Sequence, residues 1–202
     1  MKVLAFNGSP RKNGNTAALL RHCLAAVEAE GVETELIQLG GSGIQPCRGC
    51  NACRKNDREE CIIKNDPLNA WYAKMKEADG IILASPTYIW GVTGEMKIFL
   101  DRATYLARAK LRAGNLGGSL KNKVGGALAC HAFTGGVNAV QQMHCMFFNV
   151  QMIVPGVSYW PVATGLQPGD VEQDAGGVRY AEELGQSVAK LVKRLDATKD
   201  LA

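Results

Sequence analysis

Short apolar runs alternate with segments of helical period along the whole of this 202-residue chain, and that alternation restricts the fold more than any other feature. Residues 3–6, 34–39, 80–84, 124–129 and 152–157 read as strands buried on both faces. Between them apolar residues recur at spacings of three and four, as in Ala17, Leu20, Leu24 and Val27, or Leu184, Val188, Leu191 and Leu195. Strand and helix in alternation, joined by right-handed crossovers, predict a doubly wound α/β domain: a parallel sheet with helices on each side. The length suits one domain across 1–202. A ligand of such a sheet belongs at the carboxyl ends of its strands.

Several function classes drop out. No apolar run reaches the roughly 18 residues that a membrane span needs. Met1, Lys2 and the short run to Phe6 pass straight into a polar turn without a signal-like stretch, so a cytoplasmic location is expected. The balance of 23 Lys and Arg against 19 Asp and Glu is dispersed rather than gathered in a stripe, which argues against nucleic acid. Seven cysteines is an odd number, and Cys47, Cys50, Cys53 and Cys61 fall within fifteen residues. In a reducing compartment that crowding points to metal or redox chemistry rather than to a disulfide framework.

Two loops stand where a ligand should. Asn7-Gly8-Ser9-Pro10-Arg11-Lys12-Asn13-Gly14-Asn15-Thr16 joins the first strand to the first helix, whose opening turn presents free N–H groups and the positive end of its dipole. Ser9, Asn15 and Thr16 add side-chain donors. A Walker loop requires four residues before Gly-Lys, whereas five separate Gly8 from Gly14 and Asn15 replaces the lysine. The GxGxxG fingerprint is absent as well, which leaves a mononucleotide phosphate or a plain turn capped by Ser or Asn. After the third strand, Pro86-Thr87-Tyr88-Ile89-Trp90 offers flat faces to a planar ring; taken alone, such a loop is more often packing or an interface.

Two segments interrupt the alternation. Residues 40–65, after the second strand, are too long for an ordinary connection and carry Cys47-x2-Cys50-x2-Cys53-x7-Cys61. Three thiols at that spacing can wrap a cubane cluster with the fourth supplied locally, and Gly49 permits the tight turn. A [4Fe-4S] cluster, a structural zinc and metal-free, disulfide-prone thiols beside the charged stretch 55–60 all stay open. Cys23, Cys130 and Cys145 lie in apolar periodic segments and read as core. The second segment, 163–177, is rich in Gly, Pro and Asp and reads as a surface loop or an oligomer contact.

The pairing of Gly8-Ser9-Pro10-Arg11 and Gly14-Asn15-Thr16 with Ser85-Pro86-Thr87-Tyr88 and Lys97-Ile98-Phe99-Leu100-Asp101-Arg102 resembles the NADPH-dependent FMN reductase branch of the flavodoxin-like proteins, from residue 1 to about 160. Leu120-Lys121-Asn122-Lys123-Val124-Gly125 is similar too, and the cysteine motif looks like that of the iron-sulfur flavoproteins. The resemblance implies a flavodoxin-like five-stranded parallel sheet, order 2-1-3-4-5, with the cysteine-rich loop inserted after strand 2. It implies FMN, with its phosphate at Ser9, Arg11, Asn15 and Thr16 and its ring along Pro86, Thr87, Tyr88, Ile89 and Trp90. A third contact loop would be Cys130-His131-Ala132-Phe133-Thr134-Gly135-Gly136, where Gly135 and Gly136 match the family and the residues before them depart from it. His131 is either a flavin contact or a surface residue. Cys47, Cys50, Cys53 and Cys61 would hold the cluster, and electrons would pass between cluster and FMN without a catalytic acid or base from the protein.

That function implies a ferredoxin-type electron donor, a small-molecule acceptor and a homo-oligomer of two or four chains, with faces near residues 105–111 as one candidate contact. A cluster-free NAD(P)H-dependent FMN or quinone reductase is the alternative. A zinc-stapled binding module without enzymatic activity is the second.

Overall fold

A computed structural model describes residues 1–55, 59–112, 114 and 117–198. Five strands form one parallel sheet in the order β2-β1-β3-β4-β5, as expected. They are β1 (Lys2–Asn7), β2 (Glu33–Gln38), β3 (Gly80–Pro86), β4 (Val124–His131) and β5 (Val162–Thr164). The helices are α1 (Asn15–Ala29), α2 (Ala52–Lys55), α3 (Leu68–Glu77), α4 (Gly94–Ala107), α5 (Ala109–Arg112), α6 (Gly136–Asn149) and α7 (Ala175–Ala197), with a 3-10 turn at Asp170–Gln173.

Two apolar layers flank the sheet. On one side Val3, Ala5, Ile82 and Leu128 meet Leu20, Leu24, Leu184 and Val188 of α1 and α7. On the other, Leu4, Phe6, Ile81 and Leu83 meet Tyr72, Phe99, Met143 and Phe147 of α3, α4 and α6. Residues of opposite parity on one strand serve opposite layers, as the pleat requires. The continuous apolar runs of β1, β3 and β4 follow from this double burial. Strand β2 departs from that expectation: most of it is exposed or half-buried. It is an edge, and its Glu35 carries ion pairs to Lys2, at 2.8 Å, and to Lys74. Charge on an edge strand opposes pairing with another chain.

The fifth strand also differs from the sequence reading. Of residues 152–157 Ile153 alone pairs with the sheet, through a parallel bridge to Val124 in which Gly125 N–H donates to the Ile153 carbonyl at 2.8 Å. The chain then leaves the sheet and returns as β5, where Ala129, Cys130 and His131 pair with Val162, Ala163 and Thr164. Segment 163–177 contains regular structure as well as exposed loop. It finishes β5, makes the 3-10 turn and starts α7, capped by the Asp174 carboxylate, which accepts from Gly177 N–H at 2.9 Å. Among the described residues no helix is long and apolar enough to cross a membrane.

Candidate functional site

The loop after β1 is held from beneath. Asn7 Nδ2 donates to Gln38 Oε1 at 2.8 Å, and Gln38 Nε2 donates to the carbonyls of Ser9 and Gly40, each at 2.7 Å. Gly40 is required there, since a Cβ would lie 2.3 Å from the Ser9 carbonyl carbon. Ser9 is buried, and its Oγ accepts from Arg11 N–H at 3.2 Å while keeping its own hydrogen to donate. At the start of α1 the N-cap is Gly14, which offers no side-chain cap. The turn capped by Ser or Asn is thus not what forms. An opening turn with uncapped donors, beside Thr16 and Arg11, suits an anion.

Asn15 has a role that its sequence position does not reveal. Its Nδ2 donates to the Gln167 carbonyl at 2.8 Å, and its Oδ1 accepts from Gly169 N–H at 2.8 Å. The side chain pins the segment after β5 against the first loop.

The loop after β3 is built by a tight turn. Tyr88 N–H donates to the Gly91 carbonyl at 2.8 Å and Gly91 N–H donates back at 3.0 Å, with φ of 45° at Ile89 and 57° at Trp90. Positive φ at two adjacent non-glycine residues, one of them β-branched, is strained backbone that surrounding contacts must hold. Gln142 Oε1 accepts from Val92 N–H at 3.1 Å, and Thr93 Oγ1 donates to the Gly8 carbonyl at 2.9 Å while capping α4. Ile89 at the tip is 89% exposed, and Tyr88 and Trp90 are exposed beside it. The third loop approaches closely at Gly135, φ 86°, where a Cβ would lie 2.9 Å from Thr87 Cγ2 and 3.0 Å from Trp90 Cα.

These loops enclose a cavity of about 230 Å³ walled by Ser9, Arg11, Asn15, Thr16, Pro86, Thr87 and Tyr88 of the expected set. Ile89, Trp90, His131, Gly135 and Gly136 lie outside its walls. Trp90 and Gly135 pack against each other, and the His131 ring packs against Gly136. Thr87 Oγ1 and His131 Nδ1 are buried without a hydrogen-bond partner among the described residues. Gly14 of the first loop and Cys130 and Ala132 of the third also line the cavity, with Gly165 and Leu166, which the sequence reading did not place at a ligand. An uncapped helix start, an orphaned hydroxyl and an exposed aromatic edge fit a phosphate monoester bearing a flat ring. A larger hollow of about 480 Å³ lies between α4 and α6. There Lys97 is paired with Asp101, and Arg108 with Asn149.

The cysteine loop forms a second site. Cys47, Cys50, Cys53 and Cys61 line one cavity of about 320 Å³ against Arg102 and Tyr105 of α4, and all four are free of disulfides. Gly49 (φ 63°) and Asn51 (φ 55°) turn the backbone between the first three. Asn69 anchors the fourth, its Oδ1 accepting from Cys61 N–H at 2.8 Å and its Nδ2 donating to the Cys61 carbonyl at 3.0 Å. Below them Asp66 and Arg102 form a buried ion pair. Burial opposes both charges; Arg102 nevertheless holds the Asp66 carboxyl below the usual carboxylate range, and Asp66 with Cys61 raises the guanidinium. A donor set of four thiols fits a thiophilic iron or zinc centre. Among the described residues no three Cys, His, Asp or Glu side chains are yet gathered to metal-binding distance. Of the charged stretch 55–60, residues 56–58 lie outside the described residues.

Of the remaining cysteines, burial pushes the thiols of Cys23 and Cys130 up to about 12, as core positions imply. Cys145 is exposed and is not core.

Helix α4 runs from the aromatic loop to the cysteine cavity, which it lines through Asp101, Arg102, Tyr105 and Leu106. Its first turn follows the aromatic loop, and Arg102 lies two turns further along, a rise of about 12 Å. Glu95 in that first turn accepts from Gly41 N–H at 2.7 Å, tying the start of the cysteine loop to the same helix.

Residues 1–167 match the family described as NADPH-dependent FMN reductase. The chain is 41% identical over 200 residues to an iron-sulfur flavoprotein of Methanocaldococcus jannaschii, spanning 96% of this chain and 98% of that protein. It is 29% identical over 203 residues to an iron-sulfur flavoprotein of Methanosarcina thermophila, spanning 99% and 100%. Among solved structures, an archaeal flavodoxin superposes with a TM-score of 0.61 at 17% identity, over 96% of this chain and 99% of that one. RosB does so with 0.71 at 21%, over 98% and 81%. At such identities the structures speak for the flavodoxin-like fold. The chain belongs to the NADPH-dependent FMN reductase family and is a flavin-dependent oxidoreductase. Within that family its branch is that of the iron-sulfur flavoproteins.

Proposed function

We propose that this chain binds one FMN and one [4Fe-4S] cluster and transfers electrons between them. The observation that carries the reading is the pairing, in one chain, of a cavity walled by Ser9, Arg11, Thr16 and Tyr88 with a second cavity lined by Cys47, Cys50, Cys53 and Cys61. FMN supplies two-electron chemistry that can be divided into single electrons, and an iron-sulfur centre supplies single electrons.

Thr16, Ser9 and Arg11, with the first turn of α1, bind the phosphate. Asn15 lines the same cavity and keeps the segment at Gly165 and Leu166 closed over it. Pro86, Thr87 and Tyr88 orient the ring, and Ile89, Trp90, Gly135 and Gly136 shape the edge by which a small acceptor enters. His131 acts from behind that edge. Cys47, Cys50, Cys53 and Cys61 ligate the cluster. The donor is a ferredoxin-type protein, and the working form is a homo-oligomer of two or four chains.

Anaerobic purification followed by iron, sulfide, zinc and FMN analysis on one sample tests the reading. About four iron and four sulfide per chain with one FMN is the expected result. A cluster-free NAD(P)H-dependent reductase is the second reading, favoured by the family's description and by the ungathered thiols. FMN without iron after reconstitution selects it. Zinc without FMN selects a stapled binding module.

A further inference from the structure

Arg102 is a charged residue that the proposed electron transfer leaves without a role, although the fold buries it almost completely. Its side chain is 2% exposed and its partner Asp66 is fully buried. Nη1 donates to the Asp66 carboxylate and, at 2.8 Å, to the Gln45 carbonyl, while Nη2 reaches Asp66 Oδ1 at 3.4 Å. Those contacts fix the plane of the guanidinium. They leave Nε–H, which is buried and has no hydrogen-bond acceptor among the described residues. Arg102 also lines the cavity of the four cysteines, with the Cys61 thiol beside the guanidinium. A desolvated N–H without an acceptor is costly, and native folds seldom leave one unless something fills its place.

We propose that Arg102 is a positioning residue for the iron centre: held by Asp66, its Nε–H donates to a sulfur in the cysteine cavity and raises the electron affinity of the cluster held there. The proposal rests on the reading that the cysteines hold a cluster. Its physical basis is general. A donor to sulfur withdraws negative charge from the centre, and a nearby fixed cation favours the reduced state, which carries one more negative charge.

Two variants of the full chain, reconstituted anaerobically with iron and sulfide, test it against the unmodified protein. Arg102→Lys keeps the charge and removes the Nε donor. Asp66→Asn combined with Arg102→Met removes both charges, so that neither is left buried alone. Bound FMN reports that each variant folds, and a redox titration followed by electron paramagnetic resonance reads the cluster.

With FMN and iron retained, the expected result is about a tenfold loss of electron affinity in Arg102→Lys, about 59 mV for a one-electron centre, and a larger loss in the double variant. An unchanged potential in both overturns the proposal. Loss of iron from both, reproduced by Asp66→Asn alone with Arg102 intact, also overturns it, because Arg102 is then only a strap for the cysteine loop. An unmodified protein that keeps FMN and takes up no iron overturns the underlying cluster reading as well, and does so before any variant is made.

Discussion

Gly135 allows the third loop to come within contact of Thr87 and Trp90, and any side chain there meets both at 3.0 Å or less with φ at 86°. Gly135→Ala should therefore destabilise the fold by about 1–2 kcal/mol from the left-handed backbone alone. It should also weaken FMN binding by displacing the aromatic loop, read by flavin fluorescence; unchanged binding would show that this approach does not shape the site. His144 is a second single-residue test. Burial against Phe147, Phe148 and Trp160 lowers its pKa from the ordinary 6.5. The unfolded chain then binds the proton more readily, so the stability is present above about pH 6.5 and is lost as pH falls through the folded value. Urea midpoints between pH 7 and 5 should decline in the unmodified protein and decline less in His144→Gln. At this scale residue types and spacings were legible: Ser9, Arg11 and Thr16, expected at a phosphate, and Pro86, Thr87 and Tyr88, expected along a ring, line one cavity. The sequence could not show that the Asn15 amide spends itself on a segment some 150 positions away, or that the face of α6 bearing Cys145 is open.

At the scale of elements, α1, α7 and strands β1, β3 and β4 were legible because apolar periodicity reports burial directly, whereas β2 could be located but its exposed edge could not. The fifth strand was misplaced for a physical reason. Residues 152–157 read as a strand because Met152, Val154 and Val157 pack against the core layers, yet they make a single bridge at Ile153, whereas β5 itself is only three residues long and pairs late on β4. That displacement hid Gly165 and Leu166, which follow the true strand and line the first cavity. Asp174 is the joint on which this region turns: one carboxylate oxygen caps α7 and the other accepts from Thr164 N–H at 2.8 Å. Asp174→Ala should lower stability by about 1–2 kcal/mol, as for a lost N-cap, and should increase hydrogen exchange at residues 162–171. Exchange confined to the first turn of α7 would mean that β5 stands without it.

For the whole molecule, the two candidate cofactor sites are built from different connections: the loops after β1, β3, β4 and β5 for one, the long excursion after β2 packed on α4 for the other. Losing one group should therefore leave the other in place. The crowding of Cys47 to Cys61 was legible from spacing alone, but Arg102 was not, because an arginine inside an amphipathic helix carries no mark of burial until the cysteine loop folds over it. The most direct test of electron passage uses Cys50→Ser beside the unmodified protein, each with iron and FMN assayed and then mixed anaerobically with a reduced ferredoxin. The account predicts that Cys50→Ser keeps FMN and loses iron, and that its flavin absorbance bleaches at least tenfold more slowly than that of the unmodified protein. Equal bleaching in the two proteins, or FMN lost together with iron, would contradict it.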